Sequence, residues 1–481
     1  MISSEINDNR HFFHEIAKTY GRKIAYTSVD HITKDNVLKV VNDTLSTFEY
    51  NRRIISYLWR YYKGDQPIHY RTKTIRDDIM NKVCENHAYE IVQFKTCQTY
   101  GEPILYISKK DDENINKSVE LLNEYITNAG KHSKNLTSGE WQSAVGTSFQ
   151  AVQKKDGSVP FRIVCPSPLN TYIVYSSLTE EKMLSVQILE DENGQEYMLC
   201  FSENMQFKII NNEVIEYKLH AFGGIPVEEY PNNAERISDI ELVIDLLDAI
   251  NTYQSNRVDS VEQFVQSFFK FVNCEIDREK FEEMKKIGAI MIKSNNGSEN
   301  KADAEIITNE LNQSESQVAK DDLWENVLSI EAIPNKQENS GGDSQGAVEL
   351  RNGWSFSKSR ATLKDAFVKT CEKNIAKVIL NVLRVNDINL GLSEFDFDVQ
   401  INHSPTDNMI VKSQSLQYLL ECGIHPLVAI KTVGLWGDAE QVFLRSLPYL
   451  DAKWKTIDKI EEEKAQELLE EFKKKNGADI K

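Results

Sequence analysis

The feature that most constrains this chain is a long helical pattern at its centre, from Ala234 to Phe271. Apolar residues recur there at the three- and four-residue spacing of an amphipathic helix, and neither glycine nor proline interrupts it. Asn232 and Asn233 precede it as candidate N-caps, because a short side-chain oxygen can accept a free amide of the first turn. At about 1.5 Å per residue, such a helix would be roughly 55 Å long. This length predicts a connection between two bodies.

The central helix is acidic, with seven acids and two bases between 234 and 269, and a second acidic helix is predicted from Ser316 to Ile330. Between the two helices, the stretch from Asn273 to Glu315 has patterns for a short helix and two strands. A unit of roughly 40 residues is too small to be stable without a partner. The sequence therefore predicts an acidic two-helix stalk that carries a small unit.

Residues 1–232 predict one body made of helices and an antiparallel meander. Short β-rich runs separated by turn residues extend from Phe161 to Leu219, a spacing typical of a meander. We expect the meander to pack on the helices that precede it. The predicted helices are Lys34–Lys63, Asn81–Thr99, Asn114–Asn128 and Ser138–Val152, the last of them capped by Ser138.

The C-terminal part predicts mostly helix. A polar, glycine-containing stretch follows Pro334, which ends the second stalk helix. A long helix from Trp354 to Leu383 and the strand FDFDVQIN come next. Shorter helices follow at 406–421, 426–433 and 438–447, before a tail of mixed charge from residue 456. The whole pattern predicts an α+β fold that is mainly helical.

The charge of the chain restricts its partners. Its formal net charge is -18 and its pI is near 5.1, so free nucleic acid and anionic membranes would repel it. No apolar run approaches the roughly 20 residues of a membrane span, and the N-terminus lacks a signal-peptide pattern. The seven cysteines are scattered and include no CxxC pair, which is typical of ordinary thiols in a reducing compartment. We therefore expect no membrane partner.

Catalytic motifs are missing from the sequence. It has no GxxxxGK[ST], GxGxxG, HExxH or GxSxG pattern, so we predict neither an enzyme nor a bound cofactor. His11 and His14 have no neighbouring ligand set and are interpreted as a surface pair. Asp396 and Asp398 alternate on one predicted strand. A carboxylate pair there could bind a metal ion, but a solvated strand face is the favoured interpretation.

Several phrases of the chain resemble the portal proteins of long-tailed double-stranded DNA bacteriophages, of the siphophage type. They occur in the order expected for that family and cover nearly the whole chain. The phrases are YYKGDQPI, TYGEPILYI, IPVEEYPNN with DLLDAINTYQSNRVDSVEQF, IPNKQENSGGDSQGAVEL and INHSPTDNMIVKSQSLQYLLECGI. None of them is a catalytic signature, so the specificity lies in their order.

The resemblance implies a ring of about twelve copies around a central channel, at one vertex of the capsid. Subunits of this family are divided into wing, stem, clip, tunnel loop and crown. The wing would comprise 1–232, the stem helices 233–272 and 316–334, the clip 273–315 and the tunnel loop 335–350. Residues 351–403 would return to the wing, 404–455 would form the crown, and 456–481 would be a charged tail.

The resemblance also implies a structural function and a set of partners. Double-stranded DNA would pass through the ring during packaging and ejection, while a separate terminase supplies the ATPase and docks at the clip. Scaffolding and major capsid proteins and a neck or adaptor protein would be further partners. The chain would be assembled in the host cytoplasm and end in the virion, at the portal vertex.

Two groups of residues are candidate DNA-facing sites, and neither is a metal site. The first is the tunnel loop, which would touch DNA without binding its phosphates strongly. Its residues are Asn335, Lys336, Gln337, Asn339, Ser340, Gly341, Gly342, Ser344 and Gln345. The second is an acidic channel lining, which would repel the phosphates of passing DNA. Its candidates are Asp245, Asp248, Asp259, Glu262, Asp321, Asp322 and Glu325.

Two other classes of protein stay open on the residues alone. A tail or baseplate structural protein would also be an acidic multidomain oligomer, although the long-helix stalk argues against it. A metal-dependent nuclease would need Asp396 and Asp398, and no further ligand motif supports it.

Overall fold

The structure, a computed structural model, confirms the predicted α+β fold. It describes residues 10–17, 21–73, 78–110, 112–265, 268–272, 279, 303–307, 313–335, 353–403, 409–435 and 439–446. Within these ranges the α-helices are α1 Val37–Tyr62, α2 His87–Tyr100, α3 Glu113–Asn128, α4 Lys131–Val145, α5 Ile244–Val265, α6 Gln313–Glu331, α7 Trp354–Val385, α8 Met409–Glu421, α9 Pro426–Val433 and α10 Ala439–Ser446. A π-helical turn lies at Phe12–Ile16 and a 3-10 turn at Pro67–Tyr70.

The strands include the predicted antiparallel meander. They are β1 Ala25–Thr27, β2 Leu105–Ser108, β3 Thr147–Lys154, β4 Phe161–Val164, β5 Thr171–Ser176, β6 Lys182–Glu190, β7 Glu196–Phe201, β8 Met205–Ile210, β9 Glu213–Leu219, β10 Val227–Pro231, β11 Phe268–Val272, β12 Asp303–Ile307 and β13 Phe397–Gln400. The larger sheet has the order β1-β5-β6-β7-β8-β9, with β1 parallel to β5 and the meander β5 to β9 antiparallel. The other described strands form the sheet β10-β3-β4 and the pairs β11-β12 and β13-β2.

Helix α1 covers one face of the larger sheet. Its apolar residues Val37, Val41 and Phe48 recur four and seven residues apart, which places them on one face. They share a buried cluster with Tyr172 and Val174 of β5. The rings of Phe48 and Tyr172 stack with their centroids 4.7 Å apart. The expectation that the meander packs on a preceding helix is confirmed.

Helix α7 packs on the smaller sheet and carries a charge into the core. Glu372, near its middle, is fully buried. Its carboxylate accepts hydrogen bonds from Lys131 Nζ at 2.7 Å, Tyr106 Oη at 2.7 Å and Tyr230 Oη at 2.9 Å. A buried ion pair is tolerated only when its remaining polar atoms are also paired. These bonds therefore fix the position of α7 against α4, β2 and β10.

The central helix is shorter than the sequence pattern predicts. It begins at Ile244 rather than Ala234 and ends at Val265, and the predicted helical residues Phe268–Val272 form β11 instead. At about 1.5 Å per residue, α5 is roughly 33 Å long.

Ion pairs hold residues 232–243 in an irregular turn, which explains the late start of α5. Arg236 donates to both carboxylate oxygens of Glu229, at 2.6 and 2.9 Å, and Arg22 pairs with Glu241. The N-cap prediction is wrong as well, because Asn233 Oδ1 accepts the amide of Ile237 at 2.8 Å within this turn.

A second correction concerns the predicted helix Ser138–Val152. The chain forms α4 up to Val145 and then strand β3 from Thr147. Gly146 separates them in the left-handed region, at φ 88°, and a Cβ there would overlap the backbone carbonyl of Arg236. Ser138 is no cap: it is buried within α4, and its Oγ lies 2.7 Å from Ser148 Oγ.

The other predicted boundaries differ by a few residues. Helix α2 begins six residues after the predicted Asn81, where the side chain of Asn86 caps it by accepting the amide of Tyr89. Helices α3, α7 and α9 agree closely with prediction, whereas strand β13 is two residues shorter at each end than the predicted FDFDVQIN. Apart from residue 279, the predicted helix and first strand of the segment 273–315 lie outside the described residues, as does the tail from residue 456.

Candidate functional site

Helices α5 and α6 pack side by side and contain all of the acidic candidates. Leu247 and Ile250 of α5 share a buried cluster with Val327 and Leu328 of α6. The strands that continue these helices also pair, because β11 follows α5, β12 precedes α6, and the two run antiparallel. The chain therefore leaves and re-enters the body along a helix pair that is extended by a strand pair.

The carboxylates of α6 form an exposed acidic stripe, which consists of Asp321, Asp322 and Glu325. Asp321 and Asp322 precede Glu325 by four and three positions, so each of them lies beside Glu325 on the helix surface. Lys320 is the one base in the sequence of α6. Its Nζ lies 2.6 Å from Glu85 Oε1 of the body, so it is engaged elsewhere. The acidic stripe thus presents negative charge to the surroundings of the subunit.

The two carboxylates at the start of α5 have different surroundings. The side chain of Asp245 is 77% exposed, and one of its oxygens lies 3.9 Å from His14 Nδ1. Asp248 accepts a hydrogen bond from Tyr61 Oη at 2.9 Å, and burial raises the pKa of Asp248 to about 6. Asp248 therefore faces the body, whereas Asp245 faces solvent.

Asp259, in the second half of α5, is buried. It is 2% exposed, accepts the backbone amide of Asn81 at 2.7 Å, and pairs with Lys73 and, at 3.4 Å, with Arg71. Burial opposes its ionisation, but the bonds from Lys73 and Asn81 prevail and hold its pKa below the ordinary value. Asp259 therefore lies in the interior of the subunit and is no longer a candidate for the channel lining. Glu262, three residues later, is exposed and accepts Asn81 Nδ2 at 2.8 Å.

Sequence reasoning missed two buried polar residues on the same face as Asp259. Asn251 and Ser255 are fully buried, and each accepts a backbone amide from the segment that precedes α2. The signal was present in the sequence, since polar residues recur every fourth position at 251, 255 and 259 in a helix whose buried face is otherwise apolar.

The predicted tunnel loop lies almost entirely outside the described residues. Only Asn335 falls within them. On the near side of the loop, Glu331 at the end of α6 is buried and lies 3.3 Å from Lys95 Nζ. Burial raises the pKa of Glu331 to about 7. On the far side, Asp365 of α7 lies 2.9 Å from His403 Nε2. The helices that flank the loop in the sequence thus both contact residues of α2, α6 through Lys95 and α7 through His403, which bonds to the Gln98 carbonyl.

The candidate metal ligands are not brought together. Asp396 is buried against Lys110 Nζ at 2.6 Å, and Asp398 pairs with Lys373 at 2.7 Å. Each carboxylate is thus paired with a different lysine. The interpretation of a solvated strand face is also wrong for Asp396, because its side chain is buried. Within the described ranges, no group of three or more His, Cys, Asp or Glu side chains is arranged to hold a metal ion. No helix in these ranges is long and apolar enough to cross a membrane.

Comparison with known proteins identifies the class of this chain as a structural component of phage-type virions. The family described as phage portal protein, SPP1 Gp6-like, matches residues 47–422. The chain therefore belongs to the phage portal protein family. Proteins of this family are structural rather than enzymatic. A comparison with curated protein sequences finds no match.

Solved structures with a similar chain come from gene transfer agent particles. One is from the virion of the native particle, at 10% identity and a TM-score of 0.45, covering 79% of this chain and 93% of that one. Another is from the neck of the empty particle computed with C6 symmetry, at 9% identity and a TM-score of 0.47, covering 79% and 94%. A third is from the neck of the native particle computed with C12 symmetry, at 9% identity and 0.44, covering 79% and 93%.

Proposed function

We propose that this chain is the subunit of a portal ring of about twelve copies, through whose channel double-stranded DNA enters and leaves the capsid. The observation that carries the proposal is the family match over residues 47–422. In this proposal the ring occupies one capsid vertex of the virion after assembly in the host cytoplasm. Scaffolding and major capsid proteins surround it, and the clip at 273–315 docks the terminase and later a neck protein.

The acidic stripe supplies the channel lining in this proposal, together with Asp245 and Glu262. These carboxylates are exposed on the helix pair, where they repel the phosphates of passing DNA. Lysine or arginine at the same positions would instead displace counterions and hold the phosphates. A negative lining therefore lets DNA slide in both directions.

The tunnel loop at 335–350 forms the narrowest collar of the channel in this proposal. Its sequence contains amides, hydroxyls and glycines, but Lys336 is the only base. Neutral groups can contact phosphates without holding them strongly. Ser340→Cys or Ser344→Cys, combined with Arg360→Cys on α7, would tether the loop to that helix under oxidation. We expect the tether to block packaging and reduction to restore it, whereas normal packaging by the fully crosslinked protein would exclude this role.

The experiment that tests the channel lining is a charge reversal of the acidic stripe. The variant Asp321→Lys/Asp322→Lys/Glu325→Lys should retain DNA and slow its packaging. The effect should be larger at low salt, because counterions screen the added attraction less. Packaging rate would be measured over a series of salt concentrations, with ring formation checked by size.

A matched control carries the same charge change on the body. Glu192, Glu196 and Glu213 are exposed on the meander, and reversal of all three should leave packaging unchanged. Equal effects of both triple variants would show that net charge alone matters. A packaging rate unaffected by the stripe variant at every salt concentration would refute the acidic lining.

A further inference from the structure

A strap of the body, residues 78–86, lies along the buried face of α5. Its alternate backbone amides donate to side chains of the helix. The bonds are Asn81 N to Asp259 Oδ1 at 2.7 Å, Val83 N to Ser255 Oγ at 3.0 Å and Glu85 N to Asn251 Oδ1 at 2.7 Å. As the residue numbers of the strap increase from 81 to 85, those of their partners on α5 decrease from 259 to 251, so the strap runs antiparallel to α5.

The spacing of these bonds matches two different backbone repeats. Every second amide of an extended chain points to the same side, and two such residues advance about 6.6 Å. Side chains four positions apart share one helix face, and four helical residues advance about 6.0 Å. The two repeats differ by about 0.6 Å per step, so three consecutive bonds form without a break in the helix or the strap.

The acceptors depend on the strap because they are removed from water. Asn251 and Ser255 are 0% exposed and Asp259 is 2% exposed. A buried acceptor that loses its donor keeps the full desolvation cost. Asn251 is fixed further by its Nδ2, which donates to Gln66 Oε1 at 2.5 Å. The three buried acceptors on α5 can thus bond to the strap amides in only one axial position of the helix.

The strap also reaches the second helix of the pair. Glu85 Oε1 lies 2.6 Å from Lys320 Nζ of α6. Its bonds to His87 and Lys320 outweigh burial and lower the pKa of Glu85 to about 2. His87, which follows the strap, stacks on Trp324 with ring centroids 4.0 Å apart. Both helices of the pair are therefore tied to one short segment of the body.

We propose that the strap is a clasp that holds α5 in one axial register and opens as a single unit. The three acceptors lie on one rigid helix, so an axial displacement of α5 by less than one turn breaks all three bonds at the same time. Opening frees the helix pair to move relative to the body. This inference rests on the contacts of one subunit and is independent of the channel function.

The test is amide hydrogen exchange of the full-length chain at single-residue resolution. In the wild type, the amides of Asn81, Val83 and Glu85 should share a common protection factor, which is the ratio of an amide's intrinsic exchange rate to its measured rate. The variant Ser255→Ala removes the hydroxyl that accepts the amide of Val83 and lies 3.4 Å from the Val83 carbonyl oxygen, and it leaves the acceptors of Asn81 and Glu85 in place. If the clasp opens as a unit, all three amides should exchange about tenfold faster, the factor that corresponds to one lost hydrogen bond.

A matched control removes a hydroxyl from the exposed face of the same helix. Ser260 Oγ donates to Asn256 O at 2.8 Å, and Ser260→Ala should leave all three amides unchanged. Cys84, inside the strap, provides a second measurement, because its rate of modification by a thiol reagent should rise by the same factor in Ser255→Ala.

The result that would overturn the clasp is acceleration of the Val83 amide alone, with the amides of Asn81 and Glu85 unchanged. Independent bonds would give that pattern. If Ser255→Ala fails to fold, Asp259→Asn serves as the second variant, because it keeps the shape of the acceptor and removes its charge. It should likewise accelerate all three amides, and acceleration of the Asn81 amide alone would refute the proposal.

Discussion

Asp259 of α5 and the acidic stripe of α6 consist of the same kind of residue on neighbouring helices, yet they lie in opposite environments. Asp259 is buried under Lys73, Arg71 and the amide of Asn81. The stripe residues are exposed on the helix pair. The difference arises from a body segment that is 178 residues away from Asp259 in the chain. A carboxylate on a helix is therefore structural when another segment packs on its face, and available to a partner when none does.

The largest loss of stability should come from removal of the buried Asp259 carboxylate. Asp259→Ala leaves Lys73, Arg71 and the amide of Asn81 without their shared acceptor. Loss of one partner from a buried ion pair typically costs 3–5 kcal/mol, and the partial exposure of the two bases reduces this to about 3 kcal/mol. Urea unfolding of the variant would measure it. A loss below about 1 kcal/mol would show that the contacts of Asp259 with Lys73, Arg71 and Asn81 contribute little to stability.

A smaller and pH-dependent effect is expected at Glu331, the buried end of α6. Its pKa lies near 7 in the folded chain, raised by burial from 4.5. Between these values the folded state holds a proton that the unfolded state releases, so the free energy of unfolding falls as pH rises through this window. Gln cannot titrate, so in Glu331→Gln the fall in the free energy of unfolding between pH 5 and pH 8 should be smaller by about 1–3 kcal/mol. Urea unfolding at both pH values checks it, and an unchanged difference between the two would contradict the assignment.

The smallest effect on stability should come from the stripe. Glu325 is exposed, and surface substitutions of this kind usually change the free energy of unfolding by no more than about 0.5 kcal/mol. Glu325→Ala is therefore the stability control for Asp259→Ala in the same urea series. A loss as large as that of Asp259→Ala would mean that the stripe is buried in the assembled protein.

Elements fixed by local sequence were predictable. The apolar spacing that begins at Trp354 defines α7, and the turn residues between β6 and β7 and between β8 and β9 define the meander. Pro426 and Gly434 bound α9, which agrees with prediction at both ends. In these segments the periodicity and the terminating residues act within a few positions of each other.

Elements fixed by distant contacts were not predictable. The start of α5 depends on Arg22 and Glu229, which hold residues 232–243 in a turn despite their helical pattern. The break at Gly146 depends on the close approach of the Arg236 carbonyl. The same limit applies to the candidate site, since the spacing of positions 251, 255 and 259 marks a polar stripe on α5 but does not reveal the strap that covers it.

In the proposed function, copies of this chain form a ring in which the acidic stripe faces a channel. Single-particle electron microscopy of the purified full-length protein tests it most directly. We expect a closed ring of about twelve subunits with Asp321, Asp322 and Glu325 on the wall of a central hole. A monomer in solution, or a ring with these residues on its outer surface, would contradict it.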